Sequence, residues 1–291
     1  MERATQKLLG GLKALADPVR LRLLAVCARG ESAVSELAEV LGLSQPRVSQ
    51  HLKQLCQAGL LERFRDGHYV YYRVPLRGGQ PALRRAVLAL LPADEPQFER
   101  DFERLLALRA ARGRPAAADD PDALRDLHRA LIELTVSTPL GDVIDIGSGQ
   151  GSVLKLLASR ARRAVGVDID ADARQLARAE LLVAGIDNVS LRQGDMYALP
   201  FADAEFDTVI LDDVLAAAAR PLAVLAEAGR ILRPDGRLIV LAELGDADAG
   251  ELGRDLARWC AGSGLRVAVP RRVAGWLLAV ATPAGPQSQA A

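Results

Sequence analysis

The sequence predicts two domains of different class, an α+β domain at the front and a larger α/β domain with a mostly parallel sheet behind it. Three observations carry this. The chain has 291 residues, more than one hydrophobic core ordinarily supports. The apolar period changes along it. Up to about residue 111 it is helical with one short hairpin, and beyond residue 122 short buried-type strands alternate with helical segments, as in a sheet built from strands and crossover helices. Charge is unevenly divided: residues 1 to 78 hold 12 Lys plus Arg against 7 Asp plus Glu, and the remainder holds 25 against 30, although the formal net charge is zero. A basic front and an acidic rear are expected if only the front meets phosphate.

In the front domain, apolar residues at helical spacing fill 4 to 15 and 18 to 28, with Asp17 and Pro18 as a helix start. A short helix over 33 to 41 ends at Gly42. Ser44 then caps a helix whose Pro46 falls in the first turn, where a missing N–H does no harm. That helix ends near Gly59. Residues 61 to 65 and 68 to 74 are rich in aromatic and branched side chains and meet at Asp66-Gly67, a two-residue hairpin signal. Together these form a helix-turn-helix followed by a β-hairpin wing. On the second helix Val48, Leu52 and Leu55 are spaced to pack inward. Gln45, Arg47, Gln50, Lys53 and Gln54 then face outward, with Ser44 at the cap and Ser49 and His51 at the flanks. Such donors and acceptors, crowded into the N-terminal half of a helix, suit base edges in a major groove. Arg63, Arg65 and His68 at the wing suit phosphates or the adjacent minor groove.

The stretch "DPVRLRLL", "SQPRVSQHLKQL", "AGLLE" and the wing, in that order over residues 6 to 80, resembles the ArsR/SmtB family of repressors. The resemblance implies a homodimer on a double-stranded DNA operator, built on the first helix and the helix after the wing. It also implies an inducer. The paired cysteines of metal-sensing members would fall on Ala33 and Ser35, and residues 76 to 92 contain no His, so no metal site is expected. Cys27 and Cys56 are expected to pack as small apolar groups.

Residues 81 to 111 read as helix interrupted around Pro92 and Pro96, a dimerisation and linker segment that runs to 121. The rear domain, 122 to 283, opens with a helix over 122 to 135. Strands follow at 142 to 146, 164 to 168, 188 to 192, 207 to 211 and 237 to 242, with a turn at Pro234-Asp235-Gly236 before the last of these. "GLRVAVPRRVAGWLLAVATP" supplies two further strands as a closing hairpin, which puts one antiparallel strand in the sheet. The tail, 284 to 291, is expected to be disordered.

The first of those strands runs into "VIDIGSGQG", where Gly147, Gly149 and Gly151 leave bare backbone at a helix start, so that a ligand can approach closely. A dinucleotide fingerprint needs glycine at position 152, which is Ser. Acidic residues stand behind the loop at successive strand ends: Asp145, Asp168 in "AVGVDID", and Asp195 beside Met196 in "QGDMYALPF". These residues make 122 to 283 resemble the class I S-adenosylmethionine-dependent methyltransferases, whose sheet is seven-stranded and Rossmann-like. The resemblance implies S-adenosylmethionine or S-adenosylhomocysteine as ligand. It assigns Asp145 and Gly147, Ser148, Gly149 and Gly151 to the methionine moiety, Asp168 to the ribose, and Asp195 with Met196 to the adenine. Ile169 and Leu211 belong to the same contact set.

Methyl transfer needs alignment of nucleophile, methyl and sulfur more than a base. Asp212 and Asp213 in "LDDVLAAAARP" are candidates to orient or deprotonate a nucleophile. No Asn-Pro-Pro-aromatic signature of nucleobase methylation appears, and arsenite methylation wants several cysteines where this domain has Cys260 alone. A regulator that senses the nucleoside and a small-molecule methyltransferase that represses its own operon therefore both stand. No run approaches 18 apolar residues and no signal-peptide core is present, so a cytoplasmic location without membrane contact is expected.

Overall fold

Asp17 sets the start of the first well-packed helix. The computed structural model describes residues 2–66, 69–76, 78–91, 95–110, 121–136, 138–244 and 248–284. Helix α1 covers Glu2–Leu15 and α2 covers Pro18–Ala28. Asp17 caps α2, its carboxylate accepting from Arg20 N at 3.0 Å, with proline at the first helical position. A two-residue strand β1 (Ser32–Ala33), absent from the sequence reading, leads into α3 (Val34–Leu41). Helix α3 closes on Gly42 at φ 67°, a left-handed cap that a side chain would strain. Helix α4 (Gln45–Gln57) and the wing strands β2 (Glu62–Asp66) and β3 (Tyr69–Arg73) follow, then α5 (Pro81–Leu90) and α6 (Pro96–Ala110). The small sheet has the order β1-β3-β2.

Val48, Leu52 and Leu55 are fully buried among Leu23, Leu24, Leu37, Val40 and Leu60, as their spacing predicts. The wing departs from the sequence reading by one residue. Asp66 pairs with Tyr69 and is the last residue of its strand's ladder, and residues 67 and 68 lie outside the described residues. The reason is that Asp66 is buried and bonded rather than placed at a solvated tip.

The rear sheet is introduced by α7 (Pro121–Val136) and continues β4 (Asp142–Ile146), α8 (Ser152–Leu157), β5 (Arg163–Asp168), α9 (Ala171–Val183), β6 (Val189–Gln193), β7 (Phe206–Asp212), α10 (Val214–Ala217), α11 (Pro221–Ile231), β8 (Leu232–Glu243), α12 (Ala249–Gly262), β9 (Leu265–Val267), β10 (Arg271–Val273) and β11 (Trp276–Pro283). Its order is β10-β11-β8-β7-β4-β5-β6, with β9 also on β11. Strands β8, β7, β4, β5 and β6 are parallel and β11 is antiparallel to β8. Eight strands therefore occupy the seven expected places. β9 and β10 pair with opposite halves of β11, and between them lies Pro270, which has no N–H to give a ladder. The anticipated turn at Pro234-Asp235-Gly236 lies inside β8, where it shows as a register shift between Phe206 and Thr208 of the neighbouring strand.

By contacts the chain divides into two units, 1–114 with 178–188, and 115–177 with 189–291. The sequence reading separated 81–121 from the front domain. Instead α5 and α6 fall in the first unit, where Leu105 joins its core. The first unit also takes Arg178–Asn188, the second half of α9 and the turn after it. The linker 111–120 and the tail 285–291 lie outside the described residues.

Candidate functional site

In the first unit, α4 presents Gln45, Arg47, Gln50 and Lys53 as exposed side chains, and Ser44 before it is exposed as well. Ser44 makes no side-chain cap bond, which leaves its hydroxyl available. Ser49 is half-buried. Two neighbours are engaged within the protein. Gln54 accepts from Arg20 Nη1 at 2.7 Å. His51 lies with Nδ1 3.6 Å from Asp17 Oδ1, its side chain 16 % exposed, so it faces the helix cap. On the wing, Arg63 and Arg65 are exposed, while His68 lies outside the described residues. Glutamate is absent from this outward face, and its arginine and lysine leave it basic. The cysteines are inert by environment: burial pushes the Cys27 thiol far up and Cys56 to about 11. Among the described residues no group of three His, Cys, Asp or Glu side chains is placed to hold a metal ion. No helix of them is long and apolar enough to cross a membrane.

The second unit gathers its candidates at the carboxyl ends of β4, β5, β6 and β7. This is where ligands of open parallel sheets bind, beside the strand from which neighbours depart in both directions. That strand is β4, between β5 and β7. It is buried along its whole length, carboxylates included. Its two aspartates differ in an informative way. Asp142, at the far end, accepts from Arg162 Nε at 2.6 Å. Asp145, at the ligand end, is 0 % exposed, and neither of its oxygens has a hydrogen-bond partner among the described residues. Burial first, then Asp212 and Asp168, push its carboxyl well above the usual carboxylate range. The Ser148 hydroxyl nearby is likewise buried and unpartnered. Buried polar groups ordinarily find partners, so this pair marks a place built for an incoming donor or cation.

The glycine loop supplies the room. Gly147, Gly149 and Gly151 have φ of 75°, 48° and 81°, each in the left-handed region. A Cβ on Gly147 would stand 2.3 Å from Val214, whereas one on Gly149 would meet nothing within 4 Å, so Gly149 borders open space. Asp168 fastens the loop: its Oδ2 accepts from Gly149 N at 2.7 Å and its Oδ1 from Asp170 N at 2.8 Å. Each oxygen thus has one lone pair committed and one left for a diol. Ile169 beside it is 71 % exposed, an apolar side chain standing free at a strand end. Asp195 is exposed and accepts from Tyr197 N at 2.9 Å. Met196 is half-buried against the main core cluster, and Leu211 is fully buried within it.

Asp212 and Asp213 end β7. Asp213 sits at φ 53°, a strained position for a residue with a side chain, and its Oδ1 accepts from Glu243 N at 3.0 Å. Asp212 is pushed up to about 6 by burial and then by Asp213. The sign of its linkage follows: the neutral form is favoured by the fold, so that stabilisation is present below the ordinary carboxylate value and is lost as pH rises to about 6. Asp212→Asn is therefore expected to raise the melting temperature at pH 7.5 by roughly 2–5 °C and to leave it nearly unchanged at pH 4.5. Scanning calorimetry at the two pH values checks this, and an equal shift at both would contradict it.

Sequence reasoning missed a set of buried charges in the first unit: Glu31, Glu36, Asp66, Arg73, Arg109 and Arg178, all 9 % exposed or less. Only Glu36 left a local trace, three residues after Ala33, whose N–H donates to Glu36 Oε2 at 2.8 Å.

This two-part architecture is matched by two family models. Residues 17–63 match the bacterial regulatory protein arsR family and residues 144–240 match a methyltransferase domain. The chain thus joins a segment that matches the arsR regulators to a segment that matches methyltransferase domains. Over 63 residues it is 51 % identical to the arsenic resistance transcriptional regulator ArsR1 of Pseudomonas putida, covering 21 % of this chain and 49 % of that one. Over 140 residues it is 33 % identical to the nocamycin O-methyltransferase of Saccharothrix syringae, covering 47 % of this chain and 48 % of that one. The chain spans about half the length of each of these curated relatives. Among solved structures, the [4+2]-cyclase SpnF superposes with a TM-score of 0.51 at 17 % identity, covering 59 % of this chain and 85 % of that one. At that identity the likeness is one of fold.

Proposed function

We propose that the protein is a transcriptional regulator that binds operator DNA through α4 and the wing and binds S-adenosylmethionine or S-adenosylhomocysteine in the β4–β7 cleft. The observation that carries the second half is Asp145. A buried carboxylate without a partner, beneath a loop held open by three left-handed glycines, fits the α-ammonium of an amino acid. Asp168 and the exposed Ile169 fit a ribose diol and an apolar ring edge, and Asp195 with Met196 fits the adenine. When bound, S-adenosylmethionine supplies an electrophilic methyl group; this chain's residues bind and orient it. On the front, Ser44, Gln45, Arg47, Ser49, Gln50 and Lys53 would meet the major groove and Arg65 the backbone beside it.

A homodimer suits this reading. Leu8, Leu9 and Leu12 of α1 are 45–49 % exposed and Leu90 of α5 is 80 % exposed. Gly11 of α1 lies so close to Leu83 of α5 that a Cβ there would stand 2.4 Å from it, so these two helices share one surface. A second copy paired on that surface would cover these leucines and set two recognition helices one helical turn apart. The reduced compartment of the bacterial cytoplasm suits the free cysteines.

The ligand regulates only if it binds the DNA-competent and incompetent states unequally. Mobility of a duplex selected by the protein from a random-sequence pool, measured with and without S-adenosylhomocysteine, tests this; indifference of the complex to the ligand would overturn it. One observation favours a second reading, a small-molecule methyltransferase that represses its own operon. Asp212 ends the strand beside the glycine loop, its backbone within 4 Å of where a Cβ on Gly147 would stand, and burial pushes its carboxyl up to about 6, which suits a general base for a nucleophile. Transfer of labelled methyl to a metabolite extract, with a rate that rises with pH through about 6 and loses that limb in Asp212→Asn, would favour the enzyme.

A further inference from the structure

Helices α2 and α6 of the first unit are clamped together, and a cavity of about 580 Å³ opens where α5 meets them. The clamp is Asp101 of α6, 0 % exposed, which accepts from Arg22 Nε of α2 at 2.6 Å and from Arg22 Nη2 at 2.7 Å, with Gln97 Nε2 donating to it at 3.0 Å. A bidentate pair of this kind sets the spacing of two helices. Helix α5 closes on them loosely, since none of its ten residues is fully buried. The cavity wall is apolar: Val26 and Ala28 of α2, Leu88 of α5, and Phe98 and Phe102 of α6. Apart from the buried Val26 these side chains are half-buried. Protein interiors ordinarily close such spaces, because a lining without neighbours forfeits contacts. Here the buried Arg22–Asp101 pair holds the wall apart. The volume falls within the roughly 300–1,000 Å³ of small-molecule sites.

The polar residues of the lining indicate the charge of the occupant. Phe98 and Phe102 stand one turn apart on α6, and the guanidinium of Arg29 lies 4.9 Å from the centre of the Phe102 ring, so this wall already seats one cation on an aromatic face. The Phe98 ring carries no ring or cation contact among the described residues. Glu99 follows it, and Asp187, which falls in the same unit, joins the lining. Neither carboxylate has an ion-pair partner among the described residues. Two carboxylates against one guanidinium leave the lining negative. We propose that this cavity binds an apolar organic cation, a flat ring system carrying one quaternary or protonated nitrogen. Its rings would fill the space between Val26, Leu88 and Phe98, with the positive nitrogen toward Glu99. Binding here requires neither duplex nor nucleoside.

Fluorescence titration of the full chain with berberine, a flat quaternary cation that brightens in apolar surroundings, tests this. One site per chain with a dissociation constant of about 1–100 μM is expected, and millimolar S-adenosylhomocysteine should not displace the dye. Ala28→Trp fills the cavity and should weaken binding by about 10-fold or more with cooperative melting kept. Glu99→Gln alters an exposed side chain, so the fold is kept, and should weaken berberine by about 3- to 10-fold while binding of anilinonaphthalene sulfonate, an anion of similar size, is unchanged or tighter. Displacement by S-adenosylhomocysteine would place the dye in the β4–β7 cleft and overturn the proposal. So would equal berberine affinity in the parent and both variants, tighter binding of the sulfonate than of berberine by the parent, or the absence of saturable binding at millimolar dye.

Discussion

Replacing Asp145 with Asn is expected to weaken binding of S-adenosylhomocysteine by about 100-fold or more while making the unliganded fold more stable at neutral pH. The two effects share one cause. In the unliganded protein the carboxylate is buried without a partner, an arrangement whose cost shows as its raised titration. Asn has the same shape and no charge, so that cost disappears. The ligand's ammonium, however, then enters a buried site with no counter-charge, and truncating one side of such a pair costs about 2–5 kcal/mol. The sign of the pH dependence follows from the direction of the shift. Asp145 is held neutral to higher pH than an ordinary carboxylate, so the parent's affinity should weaken as pH falls, and the weak residual affinity of the variant should be flat. Calorimetric titration from pH 5.5 to 8 with parallel melting curves measures all three. A variant that binds as tightly as the parent would remove Asp145 from the site.

Arg47→Ala combined with Gln50→Ala is expected to lower affinity for a selected duplex by roughly 30- to 300-fold and affinity for unrelated duplex by less. Both side chains are exposed on the first half of α4 and neither caps or packs the helix. Their loss should therefore leave the melting temperature within a degree or two, and ligand binding unchanged. Each well-placed base contact contributes about 1–3 kcal/mol of discrimination, and a phosphate contact adds to the salt dependence instead. The same anisotropy titration at three salt concentrations separates the two. Arg258→Ala, an exposed arginine of α12 paired with Asp255, serves as the control that should change nothing. Equal losses for selected and unrelated duplexes would mean that α4 holds the backbone without reading bases.

Features set by local chemistry were legible in the sequence. The Asp17 cap, the left-handed Gly42, the inward stripe Val48, Leu52 and Leu55, and the three glycines after β4 each follow from a few adjacent residues. What escaped depends on distant partners. The wing register slipped by one because Asp66 is drawn into the interior by Arg178, 112 positions away. Strand β1 exists because β3 offers Ser32 and Ala33 a partner. The sequence placed Asp145 and Asp168 at a ligand, but not their difference: one has both oxygens unpartnered and the other fastens Gly149 and Asp170. His51 was grouped with the base readers by position, although Asp17 turns its side chain toward the protein.

Calorimetric titration of the full chain with S-adenosylhomocysteine, run alone and again with selected duplex present, puts both domains to the test in a single experiment. Saturable binding with a dissociation constant in the range of about 1–100 μM is expected, shifting by about 5-fold or more once the duplex is bound. A chain that takes up duplex yet gives no saturable binding of the nucleoside at millimolar concentration would contradict the assignment of the β4–β7 cleft.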